Sequence, residues 1–222
     1  MRHGPASCRV TRARTERDHL GVDTSPGAGG ILDPLVARVL ATYPYVFTLP
    51  MTAGERGVGY GIRFEAAVAQ GWVPPPGSDG LEHDRYDDDA VQVIGWFEGA
   101  PVSTGRLVVP PSPLPTEDEC GLRVPPAGQV VEVGRMAVVQ AHQAHHHAAF
   151  VGLLCRLYLE MRTRGFEVAC GMMSPRTRGL VRILGLSLEV LGPDRLYWAE
   201  PRAPVRFTLT ANQDTLRERW EN

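Results

Sequence analysis

The sequence predicts a mixed α/β (α+β) fold, and three observations carry that expectation. Helical and extended segments succeed one another with no internal repeat, residues 90–109 read as an antiparallel hairpin, and residues 129–140 form an apolar strand interrupted by two charges.

The chain has 222 residues, of which 43% are hydrophobic, enough to fill one substantial core. We expect a single domain over residues 31–222. Residues 1–30 are rich in Arg, Gly, Ser, Thr and Pro with almost no large apolar side chains, a composition that cannot offset the entropy of ordering, so they read as a flexible tail. A formal charge of -2 supplies no basic field to attract nucleic acid. The four cysteines are far apart, with no CxxC pair, and read as free thiols. No apolar run approaches the roughly 20 residues of a membrane span. The N-terminal arginines lack the apolar stretch that a secretory signal requires, so a cytoplasmic location is expected.

In order along the chain, Asp33 is a good helix N-cap with Pro34 at the first helical position, and Leu35, Val39 and Leu40 supply an apolar face. Residues 45–49, aromatic and β-branched between two prolines, read as a strand. Val58, Ile62, Ala66 and Ala69 recur at helical spacing and predict a helix over 52–72, with Arg63 and Ala67 one turn apart on one face. Residues 73–89, with three prolines, two glycines and clustered carboxylates, form a loop. Strands follow at 90–97 and 102–109 around the turn Glu98-Gly99-Ala100-Pro101. A second Pro-rich loop covers 110–128. The strand at 129–140 precedes a helix at 148–164, with Phe150, Leu154, Leu157 and Met161 as its inner stripe and Gly165 as its stop. The remainder reads as a strand at 168–173, a helix at 175–184 capped by Ser174, strands at 186–191 and 204–209, and a terminal helix at 212–221.

The strand Val-Val-Glu-Val-Gly-Arg-Met-Ala-Val-Val holds Glu132 and Arg135 where burial is expected, and buried charges must be paired or used. Residues three apart on a strand point to opposite faces, so the two share a site only if a bulge intervenes, and Gly134 would permit one. On spacing alone, the alternative is a pair of core-edge charges satisfied by neighbours.

Spaced polar residues elsewhere give this strand a context. Arg63 and Trp72 are followed by Asp84-Arg85-Tyr86-Asp87, by Arg106 in Thr-Gly-Arg-Leu, and by the E-x-x-R of Glu132 and Arg135. In this order and over about residues 55 to 200, the chain resembles the autoinducer-synthase branch of the GNAT acyltransferases, which includes acyl-homoserine-lactone synthases and N-acyl amino acid synthases. The resemblance implies a GNAT-like fold: a central, mostly antiparallel twisted sheet, splayed at its central strands and flanked by helices. It implies an N-acyltransferase that moves an acyl group, in this branch a fatty acyl group, from an acyl carrier protein or CoA thioester to the amine of an amino acid or similar small molecule. No bound cofactor is expected.

The resemblance also assigns candidate roles. Glu132 would serve as the base, with Arg135 orienting it or the acceptor. Arg63, Asp84, Asp87 and Arg106 would close a network over the acceptor, with Trp72 as an apolar wall, whereas Asp88 and Asp89 are not expected to take part. Backbone groups of Met136, Ala137 and Val138, with Gln143, would hold the acyl donor. The chain departs from the family where Phe is usual and Ala67 stands, and at Gly134 and Met136 beside Arg135. These departures imply a differently lined pocket and favour an amino acid or another amine over S-adenosylmethionine, the acceptor of homoserine-lactone synthesis. His146 stands where phosphate-binding loops carry glycine, which keeps acyl carrier protein open as partner alongside CoA.

Two other classes stay open at this stage. A catalytically silent module of the same fold would bind an acylated ligand without turnover. His142, His145, His146 and His147 have metal-like spacing, but no HExxH motif or carboxylate partner accompanies them, so a solvated loop is the expectation and no metal is assigned. Cys120, Cys155 and Cys170 lie in no nucleophile motif, and Cys155 on a helix stripe reads as an inert buried thiol.

Overall fold

A computed structural model describes residues 32–72, 79–143 and 147–221. The expectation of a flexible tail at 1–30 lies outside the described residues. The elements run α1 (Asp33–Thr42), β1 (Val46–Thr48), α2 (Ala53–Ala69), β2 (Val91–Phe97), β3 (Ala100–Val108), α3 (Pro115–Cys120), β4 (Val130–Val138), α4 (Ala148–Thr163), β5 (Val168–Met173), α5 (Pro175–Ile183), β6 (Glu189–Val190), β7 (Arg195–Tyr197), β8 (Glu200–Thr208) and α6 (Leu209–Glu221). The eight strands form one mixed but mostly antiparallel sheet in the order β1-β2-β3-β4-β5-β8-β6, with β7 paired to β8. Only β4 and β5 run parallel.

Local chemistry explains most boundaries. Thr52 and Glu55 form a reciprocal capping box at the start of α2, and the Ser174 hydroxyl accepts from the Thr177 N–H at the start of α5. β2 and β3 are joined by the two residues Glu98 and Gly99, both at positive φ, which suits a tight hairpin. Several expectations shift. α1 begins one residue earlier, with Leu32 as N-cap and Asp33 already helical. The buried face of α2 is Gly59, Ile62, Arg63 and Ala67, and Ala69 is exposed. Arg63 on this inner face is paired with Glu82 and Asp87. On α4, Ala149, Leu153, Leu157 and Met161 form the buried stripe, while Phe150 and Leu154 are half-buried. The 110–128 segment contains α3, and strand is short at 186–191 but begins earlier in β8, at Glu200.

Side-chain alternation gives the sheet two unlike faces. Val93, Leu107, Val131 and Val133 pack against Leu153, Leu157 and Met161 of α4. Val108, Val130 and Cys170 face the other way, against Leu114 and Val124 around α3. Glu132, opposite Val108 in the register, belongs to this second face. So does Arg106.

Two irregularities shape the centre. The β4–β5 ladder ends at Glu132↔Cys170 although both strands continue, so they part immediately beyond this pair. The β3–β4 register jumps from Arg106↔Gly134 to Thr104↔Ala137, leaving Arg135 and Met136 together opposite Gly105. This is the bulge that the charge pattern required, although the left-handed residue is Arg135 itself, at φ 50°, rather than Gly134. The extra residue turns Arg135 onto the face that carries Glu132 and Arg106.

Candidate active site

Four arginines and four carboxylates gather on the Glu132 face of the sheet. α2 delivers Arg63, β3 Arg106, the β4 bulge Arg135 and β8 Arg202. The loop before β2 delivers Glu82, Asp84 and Asp87, and β8 adds Glu200. Arg63 donates from Nη1 and Nη2 to the Asp87 carboxylate at 2.7 and 3.0 Å, and its Nε donates to Glu82. Arg106 Nη1 lies 2.5 Å from Asp84 and 3.0 Å from Asp87. Arg135 donates to Asp84 at 2.8 Å and stands 3.3 Å from Glu82. Asp84 also accepts from the Tyr86 N–H, and Asp87 from the Asp84 N–H, which explains locally why carboxylates three residues apart suit this turn.

Burial and pairing compete for each charge. Burial alone would raise the Asp87 pKa, but Arg63 and then Arg106 outweigh it and hold the carboxyl below its ordinary value. Burial alone would lower that of Arg63, but its hydrogen bonds to Asp87 and Glu82 turn the net shift upward. Arg135 behaves likewise, with Tyr197, Glu82 and Asp84 overcoming its burial. Asp88 and Asp89 are exposed.

Glu132 stands apart. It is 5% exposed, and one carboxylate oxygen accepts from the Thr116 N–H of α3 at 2.7 Å. Burial pushes its pKa up to about 7, against the opposing pull of Thr116, Arg106 and Arg135. The Arg135 guanidinium is engaged by Asp84, Glu82 and Tyr197.

Met136, Ala137, Val138 and Gln143 lie at the far end of β4 and just beyond it. Val139 N–H donates to Val102 C=O at 2.9 Å. Alternation along β4 therefore assigns the Ala137 N–H to the β3 ladder and turns the Val138 N–H away from β3. Gln143 is occupied, its Nε2 donating to Val138 C=O at 2.8 Å. Met136 sits in the bulge. Ala144, His145 and His146, the centre of the possible phosphate loop, lie outside the described residues. Among the described residues, no group of three or more His, Cys, Asp or Glu side chains is placed to hold a metal.

On the opposite face of the sheet lies an apolar cavity of about 130 Å³, bounded by Val133, Met173, Leu154, Cys155, Val36 and Val181 among others. Burial raises the Cys155 thiol to about 12, in keeping with an inert lining residue. Ala67 is 1% exposed and lies outside the lining of this cavity.

Sequence reasoning missed Glu82, Thr116, Tyr197, Trp198 and Arg202. Trp198 meets Trp72 edge-on with ring centroids 6.2 Å apart, and the guanidinium carbons of Arg135 and Arg202 stand 4.3 Å from the Trp198 ring and 4.6 Å from the Trp72 ring. Only Glu82 had a signal in the sequence, its place in the same carboxylate-rich loop as Asp84 and Asp87.

No family model matches the chain, and no curated protein matches it. Solved structures do. The AHL synthase LasI is similar at a TM-score of 0.62 and 15% identity, over 77% of this chain and 92% of that one. The CoA-dependent acyl-homoserine lactone synthase BjaI, solved with SAM and isopentyl-CoA, gives 0.60 and 18%, over 75% and 82%. FeeM, an N-acyl amino acid synthase from uncultured soil microbes, gives 0.59 and 14%, over 77% and 94%. The fold is that of the GNAT-like autoinducer synthases. Among the described residues no helix is long and apolar enough to cross a membrane.

Proposed function

We propose that the chain is an N-acyltransferase that moves an acyl group from a phosphopantetheine thioester to a small amine. The observation that carries this reading is Glu132, a buried carboxyl with a pKa of about 7 at the point where β4 and β5 part. A base poised near neutral pH suits removal of a proton from an attacking amine. The apolar cavity on one face of the sheet suits an acyl chain, and the arginine–carboxylate face suits a polar acceptor. The gap between the strands would join them at the thioester.

In this reading the acceptor nitrogen attacks the thioester carbonyl carbon, and its proton passes to Glu132, directly or through one water. The Val138 N–H, turned away from β3, is the candidate donor, either for the carbonyl oxygen as it gains charge or for a pantetheine amide. The C–S bond then breaks, and the leaving sulfur takes up the proton that Glu132 received, directly or through water, which restores the carboxylate. Arg63, Asp84, Asp87 and Arg106 hold the acceptor loop in place around Arg135. Donor candidates are acyl-CoA and acyl carrier protein, and acceptor candidates are amino acids, with S-adenosylmethionine as the runner-up.

The bond from Thr116 to Glu132 favours a second reading, a binding module in which Glu132 only caps α3. Thiol release separates the two. The protein is incubated with acyl-CoA or acyl carrier protein thioesters and a panel of amines, and free thiol and N-acyl product are followed together. Acyl transfer predicts amine-dependent thiol release, with a loss of roughly 10²- to 10⁴-fold in Glu132→Gln. Thioester binding without release of thiol would support the module instead.

A further inference from the structure

The hydrogen bonds that the Glu132 carboxyl receives fall on one oxygen. Oε2 accepts from the Thr116 N–H at 2.7 Å and from the Cys170 thiol at 3.9 Å. The thiol is a weak donor at long range, so Thr116 supplies the firm contact. Thr116 is fully buried, and its hydroxyl has no hydrogen-bond partner in this geometry. That hydroxyl is still close enough to the carboxyl to favour its charged form, adding to the pull of the N–H. A hydroxyl both donates and accepts, so it can serve the carboxylate and the protonated carboxyl alike.

The helix that carries Thr116 is itself fixed at several points. The Asp118 carboxylate accepts from Arg85 and from the Tyr86 hydroxyl, both at 2.9 Å, and the Glu119 C=O accepts from Arg195 at 2.8 Å. Glu117 is turned to Arg123 and to the Val124 N–H. α3 is therefore tied to the loop that carries Asp84 and Asp87 and to β7. Exposed pairs add little stability, and here their effect is to fix the place of Thr116. The other charged or titratable groups around Glu132 are Arg106 of β3, Arg135 of β4, Cys170 of β5 and Cys120 of α3. The arginines act through charge alone, and burial raises both thiols, which keeps them neutral. The Thr116 hydroxyl is thus a group that can be removed without changing any charge around Glu132.

We propose that Thr116 is a positioning residue for Glu132, holding Oε2 so that Oε1 is the oxygen that takes the proton of the attacking amine. The inference rests on the acyl-transfer reading, in which an amine N–H bond breaks, an O–H bond forms at Oε1, and that proton later passes to the leaving sulfur. The effect of Thr116 is measured without turnover, by isotope-edited NMR titration of the glutamate carboxyl carbons in the whole protein, with Glu132 assigned by its loss in Glu132→Gln. Thr116→Val keeps the shape and the N–H but lacks the hydroxyl, and should move the Glu132 midpoint upward by about 0.5–1 pH unit. The rise of kcat/KM for thiol release with pH should move with it, with KM held. Thr116→Ser, which restores the hydroxyl, should return the wild-type midpoint. Thr116→Ala gives the same reading as Thr116→Val if the latter does not fold.

A midpoint unmoved when the hydroxyl is lost, or moved as far in Thr116→Ser, would overturn the positioning role. The acyl-transfer reading fails separately. A shifted midpoint in a protein that releases no thiol from acyl-CoA or acyl carrier protein thioesters with any amine keeps the coupling of Thr116 to Glu132 but sinks the transferase, and with it the role of Oε1. Thiol release whose pH dependence ignores a shifted midpoint removes Glu132 as the base.

Discussion

The guanidinium carbon of Arg135 stands 4.3 Å from the centre of the Trp198 ring, and both residues hold left-handed backbone, at φ 50° and 56°. One belongs to the β4 bulge and the other to the β7–β8 turn. Two locally unfavourable conformations therefore meet in one contact on the arginine–carboxylate face. Strain of this kind persists where surrounding structure over-determines it.

The neighbouring turn residue allows that strain to be measured. Ala199 is exposed at φ 54°, where glycine carries no Cβ penalty. Ala199→Gly should stabilise the protein by about 1 kcal/mol and raise Tm by roughly 2–4 °C. A thermal melt that falls instead would show that the turn is not strained.

Glu132 makes stability depend on pH in an unusual direction. Its carboxyl ionises near its ordinary 4.5 in the unfolded chain and at about 7 in the fold, so the folded state holds the extra proton between these values. Its contribution is fully present below 4.5 and is lost as pH rises through 7, by on the order of 3 kcal/mol. Glu132→Gln should flatten that decline in denaturant titrations from pH 4.5 to 8. If Glu132 is the base, activity should rise through pH 7 in the wild type. A stability slope unchanged in the variant would contradict the buried, raised carboxyl.

Asp87 behaves in the opposite sense. Its folded pKa is depressed, so its contribution is present above the ordinary 3.8 and is lost as pH falls through the lower folded value. Asp87→Asn removes a charge that serves both Arg63 and Arg106 and should cost about 3–5 kcal/mol. The exposed neighbour Asp88→Asn should stay within about 0.5 kcal/mol. Equal melting of the two variants would remove the argument for a buried network.

Two central glycines should respond differently to alanine. A Cβ on Gly171 would stand 2.6 Å from the Val133 carbonyl oxygen, a backbone atom that moves only if β4 and β5 separate further. Gly171→Ala should therefore cost about 1–3 kcal/mol. A Cβ on Gly134 meets nothing within 4 Å, and Gly134→Ala should be tolerated. Chemical denaturation of the two variants reads the contrast, and a tolerant Gly171 would mean that the strands are not closely apposed where they part.

Much of the arginine–carboxylate cluster was legible because it is written in charges that seldom enter a strand or an apolar helix face. Arg63, Asp84, Asp87, Arg106 and Arg135 do meet, through the bulge that Glu132 and Arg135 demanded if they were to share a face. The sequence also set the hairpin and the capped helices, since these rest on interactions between residues a few positions apart. Tertiary structure alone decided the rest. Trp198 and Arg202 reach the site because β8 pairs with β5 and β7 folds back on β8, and pairing between distant strands leaves no periodic mark in a sequence. The same holds for Glu132, whose partner Thr116 comes from a helix that its Pro-rich segment concealed, and whose proton affinity is set by the depth to which that helix buries it.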